Sequence, residues 1–169
     1  MASQLRVDHI VPVDGAPTGG GGGIIQIVHA TATTGVSQSY SASSTFADTG
    51  LSATITPKFS TSKILVTGYL SYYSSTGNGS AEFNFAVCDG SNNILDGTTA
   101  DTQGYRINEM YVIGGKHPIN FLHSPNTTSA FTYKIRMNAH TANTSGALYA
   151  QINSTGNNIS RLTLMEVSA

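Results

Sequence analysis

Hydrophobic and polar residues alternate with a period of two along most of the chain, and nowhere with a period of 3.6 over ten residues. Leu51, Ala53 and Ile55 fall on one side of an extended run, with Ser52, Thr54 and Thr56 on the other, until Pro57 stops it. Phe83, Phe85 and Val87 oppose Glu82, Asn84 and Ala86 in the same way. Phe131, Tyr133, Ile135 and Met137 oppose Thr132, Lys134 and Arg136, and Leu162, Leu164 and Glu166 share one side of the last run, 159–167. Further extended runs open at Ile24 and Ala147, and 117–123 places Ile119 and Phe121 together. Residues 103–113 alternate through Tyr105, Ile107 and Val112, with room for a bulge. Residues 63–73 form the most apolar stretch, which predicts a central strand partly buried on both faces. Turn chemistry separates these runs at 74–80, at Asp89-Gly90, at Asp96-Gly97 and at Gly114-Gly115. Nine or ten strands and no helix predict an all-β chain, an antiparallel β-sandwich or jelly roll.

The beginning of the chain reads differently. Residues 1–14 form one extended segment in which Leu5, Val7, Ile10 and Val11 are the candidate anchoring side chains, and Pro12 keeps it from the middle of a sheet. Residues 15–23 end in five consecutive glycines, which have no side chains to pack and much conformational entropy to lose. The expected organisation is an N-terminal arm (1–14), a glycine-rich hinge (15–23) and a β-sandwich head (24–169).

Composition narrows the function. Charged residues make up 10% of the 169, against roughly 25% in an ordinary soluble domain. Serine and threonine fill the gap, 41 in all, beside 18 glycines. Eight basic residues and a net charge of −1 argue against a nucleic-acid partner, which needs many phosphate contacts. No apolar run reaches the roughly 18–20 residues of a membrane helix, so no membrane insertion is expected, and the first residues lack the pattern of a signal peptide. A single cysteine, Cys88, excludes an intramolecular disulfide framework and a cysteine-based zinc site.

Candidate chemistry is sparse. The histidines at 9, 29, 117, 123 and 140 form no His-x-His or His-Glu-x-x-His pattern, and His117 and His123 stand about 20 Å apart on one strand face. In a trimer, one histidine per chain could still meet its copies on the axis. Glu82 and Glu109 are the one pair of strand carboxylates that a glycoside hydrolase would need, and the plainer reading is two exposed strand residues. Cys88 has no basic neighbour in sequence and reads as a small buried side chain. The glycines at 19–23 lack the Gly-Lys-Ser/Thr of a phosphate loop. Five Asn-x-Ser/Thr triplets, at Asn78, Asn126, Asn143, Asn153 and Asn158, would matter only in a eukaryotic secretory setting. The tyrosines are more suggestive: Tyr72, Tyr73, Tyr105 and Tyr111, set among Ser, Asn and Gly, are candidate surface contacts with a low ordering cost. No catalytic residue, metal ligand or cofactor is assigned, and an enzyme is not expected.

Three stretches resemble small virion proteins of tailed bacteriophages: Ser3-Gln-Leu-Arg-Val-Asp-His-Ile-Val-Pro-Val-Asp-Gly15 with the hinge after it, Leu51-Ser-Ala-Thr-Ile-Thr-Pro-Lys-Phe-Ser-Thr-Ser-Lys-Ile-Leu-Val66, and Ile159-Ser-Arg-Leu-Thr-Leu-Met-Glu-Val167. Tail fibres, tail tips and capsid-attached proteins share such modules. The resemblance implies a β-sandwich head, a homotrimer and a place on the virion exterior, and it implies no catalytic residues. The expected function is a tail fibre-type appendage that joins other virion proteins through the arm and meets a host-surface glycan or protein. The alternative is a capsid decoration or cement protein bound to shell subunits. An enzyme that degrades surface polysaccharide ranks last.

Overall fold

The computed structural model describes residues 23–41, 45–76, 81–96, 105–107, 112–140, 145–153 and 156–168. The expected arm (1–14) and all of the expected hinge but Gly23 lie outside them. Among the described residues thirteen strands follow one another: β1 (Ile24–Ala32), β2 (Val36–Ser39), β3 (Ala47–Ile55), β4 (Lys63–Thr76), β5 (Ala81–Asp89), β6 (Ile94–Asp96), β7 (Tyr105–Ile107), β8 (Val112–His123), β9 (Phe131–His140), β10 (Gly146–Ala150), β11 (Ile152–Asn153), β12 (Gly156–Asn157) and β13 (Ser160–Val167). All pairings are antiparallel, and the described residues contain no helix.

Several short strands are halves of longer ones. Along β4, β13 pairs from Lys63 to Tyr69 and β10 continues the same line from Tyr72 to Thr76. β1 and β2 continue one another beside β13 and β10. On the far edge of β5, β6 pairs at Val87 and Cys88, and β7 at Ala81 to Phe83. Numbered along the chain as β1/β2, β3, β4, β5, β6/β7, β8, β9 and β10/β13, the strand positions order as 1-8-3-6 in one sheet and 2-7-4-5 in the other. That order is the eight-strand jelly roll with its two Greek keys.

The period-two pattern sets the core. Leu51, Ala53 and Ile55 of β3 turn inward, as do Tyr133, Ile135 and Met137 of β9, and they meet Ile64, Val66, Leu70, Leu162 and Leu164 of the facing sheet. Ser52 and Thr54 are exposed between them. β4 lies between two neighbours along its whole length, which fits its apolar sequence.

The gap between β10 and β13 is bridged by polar groups. Gln151, with φ 56°, turns the chain away from β4, and its backbone N–H donates to the Ser71 carbonyl at 2.9 Å. The Ser71 N–H donates to Ser160 Oγ at 2.9 Å, and its hydroxyl donates to the Ile159 carbonyl at 2.8 Å. All three residues are buried, so these bonds replace the ladder that the β11–β12 excursion interrupts. Where β13 rejoins β4, Gly68 (φ 154°) faces the Arg161 carbonyl so closely that a Cβ would sit 2.1 Å from the oxygen. At the other tight point, Asp89 closes the β5–β6 hairpin by accepting from the Ser91 and Asn93 N–H groups, both at 2.8 Å, while Asn92 adopts φ 73°.

Four expectations change. Gly114 and Gly115 lie inside β8 rather than in a turn, because they pair across the ladder with Tyr73 and Tyr72 of β4, in a register that runs unbroken along both strands. The stretch 74–80 is strand as far as Thr76. The run 103–113 divides between β7 and β8, in different sheets. Asn84 and Ala86 of β5 are buried, because β5 runs between two neighbours and Arg136 stands opposite Ala86.

Candidate functional site

Two surface features stand out, a cleft at one open side of the sandwich and an apolar row across one outer face. The cleft is built where edge strand β8 passes β6 of the other sheet. Its volume is about 250 Å³. Phe85 and Val87 of β5, Ile119 of β8 and Ile135 of β9 form an apolar floor, all buried by the inward phase of their strands. Asp96, at the end of β6, and Asn120 and Pro118, on the outward phase of β8, form a more exposed rim. His117 points inward from β8 and packs against the Phe85 ring, centroid to centroid 4.8 Å. Burial pushes its pKa down, and the Asp96 carboxylate offsets this only in part. At pH 7 the imidazole is therefore neutral, and among the described lining residues Asp96 carries a carboxylate. A site of this composition can bind a small ligand, and its described lining residues include no second carboxylate beside Asp96.

The apolar row crosses all four strand positions of one sheet in register: Ile27 faces Met165, Met165 faces Leu65, and Leu65 faces Leu122. Ile27 is 58% exposed and Leu122 54%, and Ile24, beside Val167 at the corner of the sheet, is 53% exposed. The next row on the same face, His29, Thr163, Thr67 and Asn120, is polar. The Ser168 N–H donates to the Gly23 carbonyl at 3.0 Å, which fixes Gly23 at the same corner as Ile24.

The tyrosines divide. Tyr72 is 6% exposed and packs between Phe83 and Phe85 in the core, which corrects its expected place on the surface. Its even-numbered neighbours Ile64, Val66 and Leu70 all point inward, so it shares their phase. Tyr73 points outward and packs against Tyr149, ring centroids 5.8 Å apart. Tyr105 lies in β7, where only the backbone is described, and Tyr111 lies outside the described residues, as do Leu5, Val7, Ile10 and Val11.

Among the described residues, no group of three or more His, Cys, Asp or Glu could hold a metal ion. His123 serves the interior: its Nδ1 lies 2.9 Å from the Tyr133 hydroxyl. Glu82 stands opposite His140, carboxylate to ring nitrogen 4.0 Å, and Glu109 lies outside the described residues. Cys88 is buried, as expected.

Sequence reasoning missed the depth of Glu166, which is fully buried on β13. It accepts from Gln26 Nε2 at 2.5 Å, from the Lys58 N–H at 2.7 Å and from the Phe59 N–H at 3.3 Å. The carboxylate ties the turn after β3 to the β1–β13 edge, a structural task. Burial pushes its pKa up, but the donors around it, Gln26 first, then Ser62 and the Lys58 and Phe59 amides, outweigh this and hold it below the ordinary range.

No protein-family model matches the chain, and no curated protein matches it. Among solved structures, it is similar to a chain of infectious bursal disease virus, Gx strain, at 13% identity and TM-score 0.44, over 98% of this chain and 42% of that one. The Gt strain gives 12% identity and TM-score 0.40, over 99% and 42%. The VP2 subviral particle of the same virus gives 13% and 0.42, over 86% and 38%. The chain thus spans about two fifths of the chains it matches. The strand order above, and not these likenesses, defines the jelly roll.

Proposed function

We propose that this chain is a virion structural protein: a trimeric jelly-roll head, held on the exterior of a particle by its N-terminal segment and meeting the host surface. The observation that carries the reading is the apolar row beside Gly23. A solvent-facing line of Ile27, Met165, Leu65 and Leu122 is an interface in search of a partner. A second and third copy around a three-fold axis would cover it. The same arrangement brings the Gly23 ends of the three copies to one side, where their preceding segments could grip a shared partner. The resemblance of residues 3–15, 51–66 and 159–167 to tailed-phage virion modules supplies the setting. Jelly rolls occur in capsid and lectin domains alike, so the fold is compatible with this role without implying it.

The test uses particles carrying labelled protein. A few to tens of copies per virion is the expected result and indicates a tail appendage, whereas hundreds would indicate a shell decoration instead. Removing residues 1–14 is expected to leave a folded head that no longer joins particles. Particles that still incorporate the shortened chain would refute the anchoring role.

A further inference from the structure

We propose that the outer face of the β1-β13-β4-β8 sheet carries a binding patch, centred on Tyr69, for an acidic surface glycan whose carboxylate or phosphate groups meet Arg161 and Lys116. The inference rests on the reading above, that the head meets a host surface, and it names the chemistry of that meeting.

The ladder assembles the patch. Tyr69 of β4 pairs with Arg161 of β13 on one side and with Pro118 of β8 on the other. All three follow the outward phase of their strands, since Leu70, Leu162 and Ile119 beside them are buried. Lys116, two residues along β8, holds its ammonium 4.5 Å from the centre of the Tyr69 ring. Two cations therefore flank one aromatic ring, which positions the ammonium without neutralising it. Arg161, Lys116 and Pro118 are exposed, and Tyr69 is half-buried. Among the described residues the ion pairs engage Lys134, Arg136 and His140 instead, all on β9 of the other sheet. Charge then sets the class of partner. A guanidinium and an ammonium only donate, so they suit carboxylate or phosphate oxygens and repel cations. The neighbouring groups select a glycan. The Pro118 and Tyr69 rings offer apolar surface to the C–H face of a sugar, and in the next row exposed Asn120 pairs with Thr67, an amide and a hydroxyl that both donate and accept. The backbones of β4 and β13 are paired on both sides, so an extended peptide cannot join them by strand addition. Tyr69 lies about 13 Å along β4 from Leu65, so copies that cover the apolar row leave the patch open.

The test uses the full-length protein and three probes, oligomers of polygalacturonate, of phosphorylated mannan and of neutral dextran, titrated by calorimetry. At least one acidic probe is expected to bind, and which one binds identifies the anion. Raising sodium chloride from roughly 0.05 to 0.5 M is expected to weaken that binding, because the charges are exposed. Arg161→Gln and Lys116→Gln are each expected to weaken it about three- to fivefold, and together about tenfold, the range of exposed ionic contacts. Both positions are exposed, so the melting curves of these variants are expected to match the native one. Lys134→Gln removes the same charge from the other sheet and is expected to leave binding unchanged. The assignment is overturned if neither acidic probe binds, if dextran binds equally well, if Lys134→Gln weakens binding as much as Arg161→Gln, or if single-stranded DNA binds as tightly as the acidic glycans, which would make this a general polyanion surface. Competition of the purified protein with particles for host cells separates the two readings. Blocked adsorption that survives the Arg161→Gln and Lys116→Gln double substitution overturns the patch alone. Glycan binding at the patch without blocked adsorption overturns the host-surface role and leaves the patch standing.

Discussion

Replacing Glu166 with glutamine keeps the side chain's shape and removes its charge. In the native protein three donors converge on the carboxylate, at 2.5, 2.7 and 3.3 Å, in a fully buried position. A carboxamide presents one oxygen to these donors and turns an NH2 group toward the rest. Hydrogen bonds to a charged partner contribute about 1.5–3 kcal/mol, and losing that share is the expected cost of Glu166→Gln at pH 7. In a chain of this size, about 2–4 °C of melting temperature per kcal/mol makes this a fall of about 3–12 °C. The pH profile gives the sharper readout. The carboxyl pKa is lower in the folded protein than its ordinary 4.5. The unfolded chain therefore binds the proton first as pH drops. Glu166 stabilises the fold fully above 4.5, and that contribution drains away as pH falls from there through the folded pKa. Melting curves from pH 7 to pH 3 should show the gap between native protein and variant closing in that window. A variant as stable as the native protein at pH 7, or a gap that stays constant down to pH 3, would refute the clamp.

Gly68→Ala should destabilise the head by about 1–3 kcal/mol, read by chemical denaturation, because its Cβ would sit 2.1 Å from the Arg161 carbonyl oxygen, a backbone atom that cannot turn aside; unchanged stability would mean that β13 does not pass β4 so closely. Burial holds the pKa of His117 and of His123 below the ordinary 6.5, so both stabilise the fold above that value and lose the contribution as pH falls below it. Denaturation midpoints should accordingly be lower at pH 5.5 than at pH 7.5, and equal midpoints would contradict the neutral burial of both rings. Light scattering on the native protein should give about three times 17.6 kDa, and Ile27→Asp, at a position 58% exposed, should give 17.6 kDa with an unchanged melting curve in dilute solution. A native monomer at micromolar concentration would remove the trimer.

What was legible in the sequence was whatever depends on neighbours two residues apart. The inward phases of 51–55, 131–137 and 162–166 follow from alternation alone, and so does the absence of helix among the described residues. Tyr72 was also legible by phase, since it continues Ile64, Val66 and Leu70, but its resemblance to a contact-surface tyrosine obscured that. Gly114 and Gly115 carry turn chemistry, and only their pairing with Tyr73 and Tyr72 along the continuous β4–β8 ladder, a long-range feature, keeps them extended. The partners of Glu166 lie 107, 108 and 140 residues away, and no local pattern specifies them. The cleft collects residues near positions 85, 96, 117 and 135 from four strands and both sheets, so it exists only once the Greek keys have closed.

The low charge of the chain has a consequence for how its copies hold together. Several of its few charges are occupied within the subunit. Asp48 pairs with Lys134 at 3.3 Å and with Arg136 at 2.8 Å, Lys116 rests 4.5 Å above the Tyr69 ring, and Glu166 is internal. The row proposed to meet neighbouring copies contains only Ile27, Met165, Leu65 and Leu122. Salt shortens the reach of exposed charges from about 10 Å at 0.1 M to about 3 Å at 1 M, but leaves apolar burial intact. The trimer's dissociation constant should therefore change by less than about threefold between roughly 0.05 and 0.5 M sodium chloride, whereas an interface held by ion pairs would weaken steeply. Sedimentation equilibrium across that range distinguishes the two. Dissociation driven by salt would move the interface away from the apolar row and toward the charged residues on the other sheet.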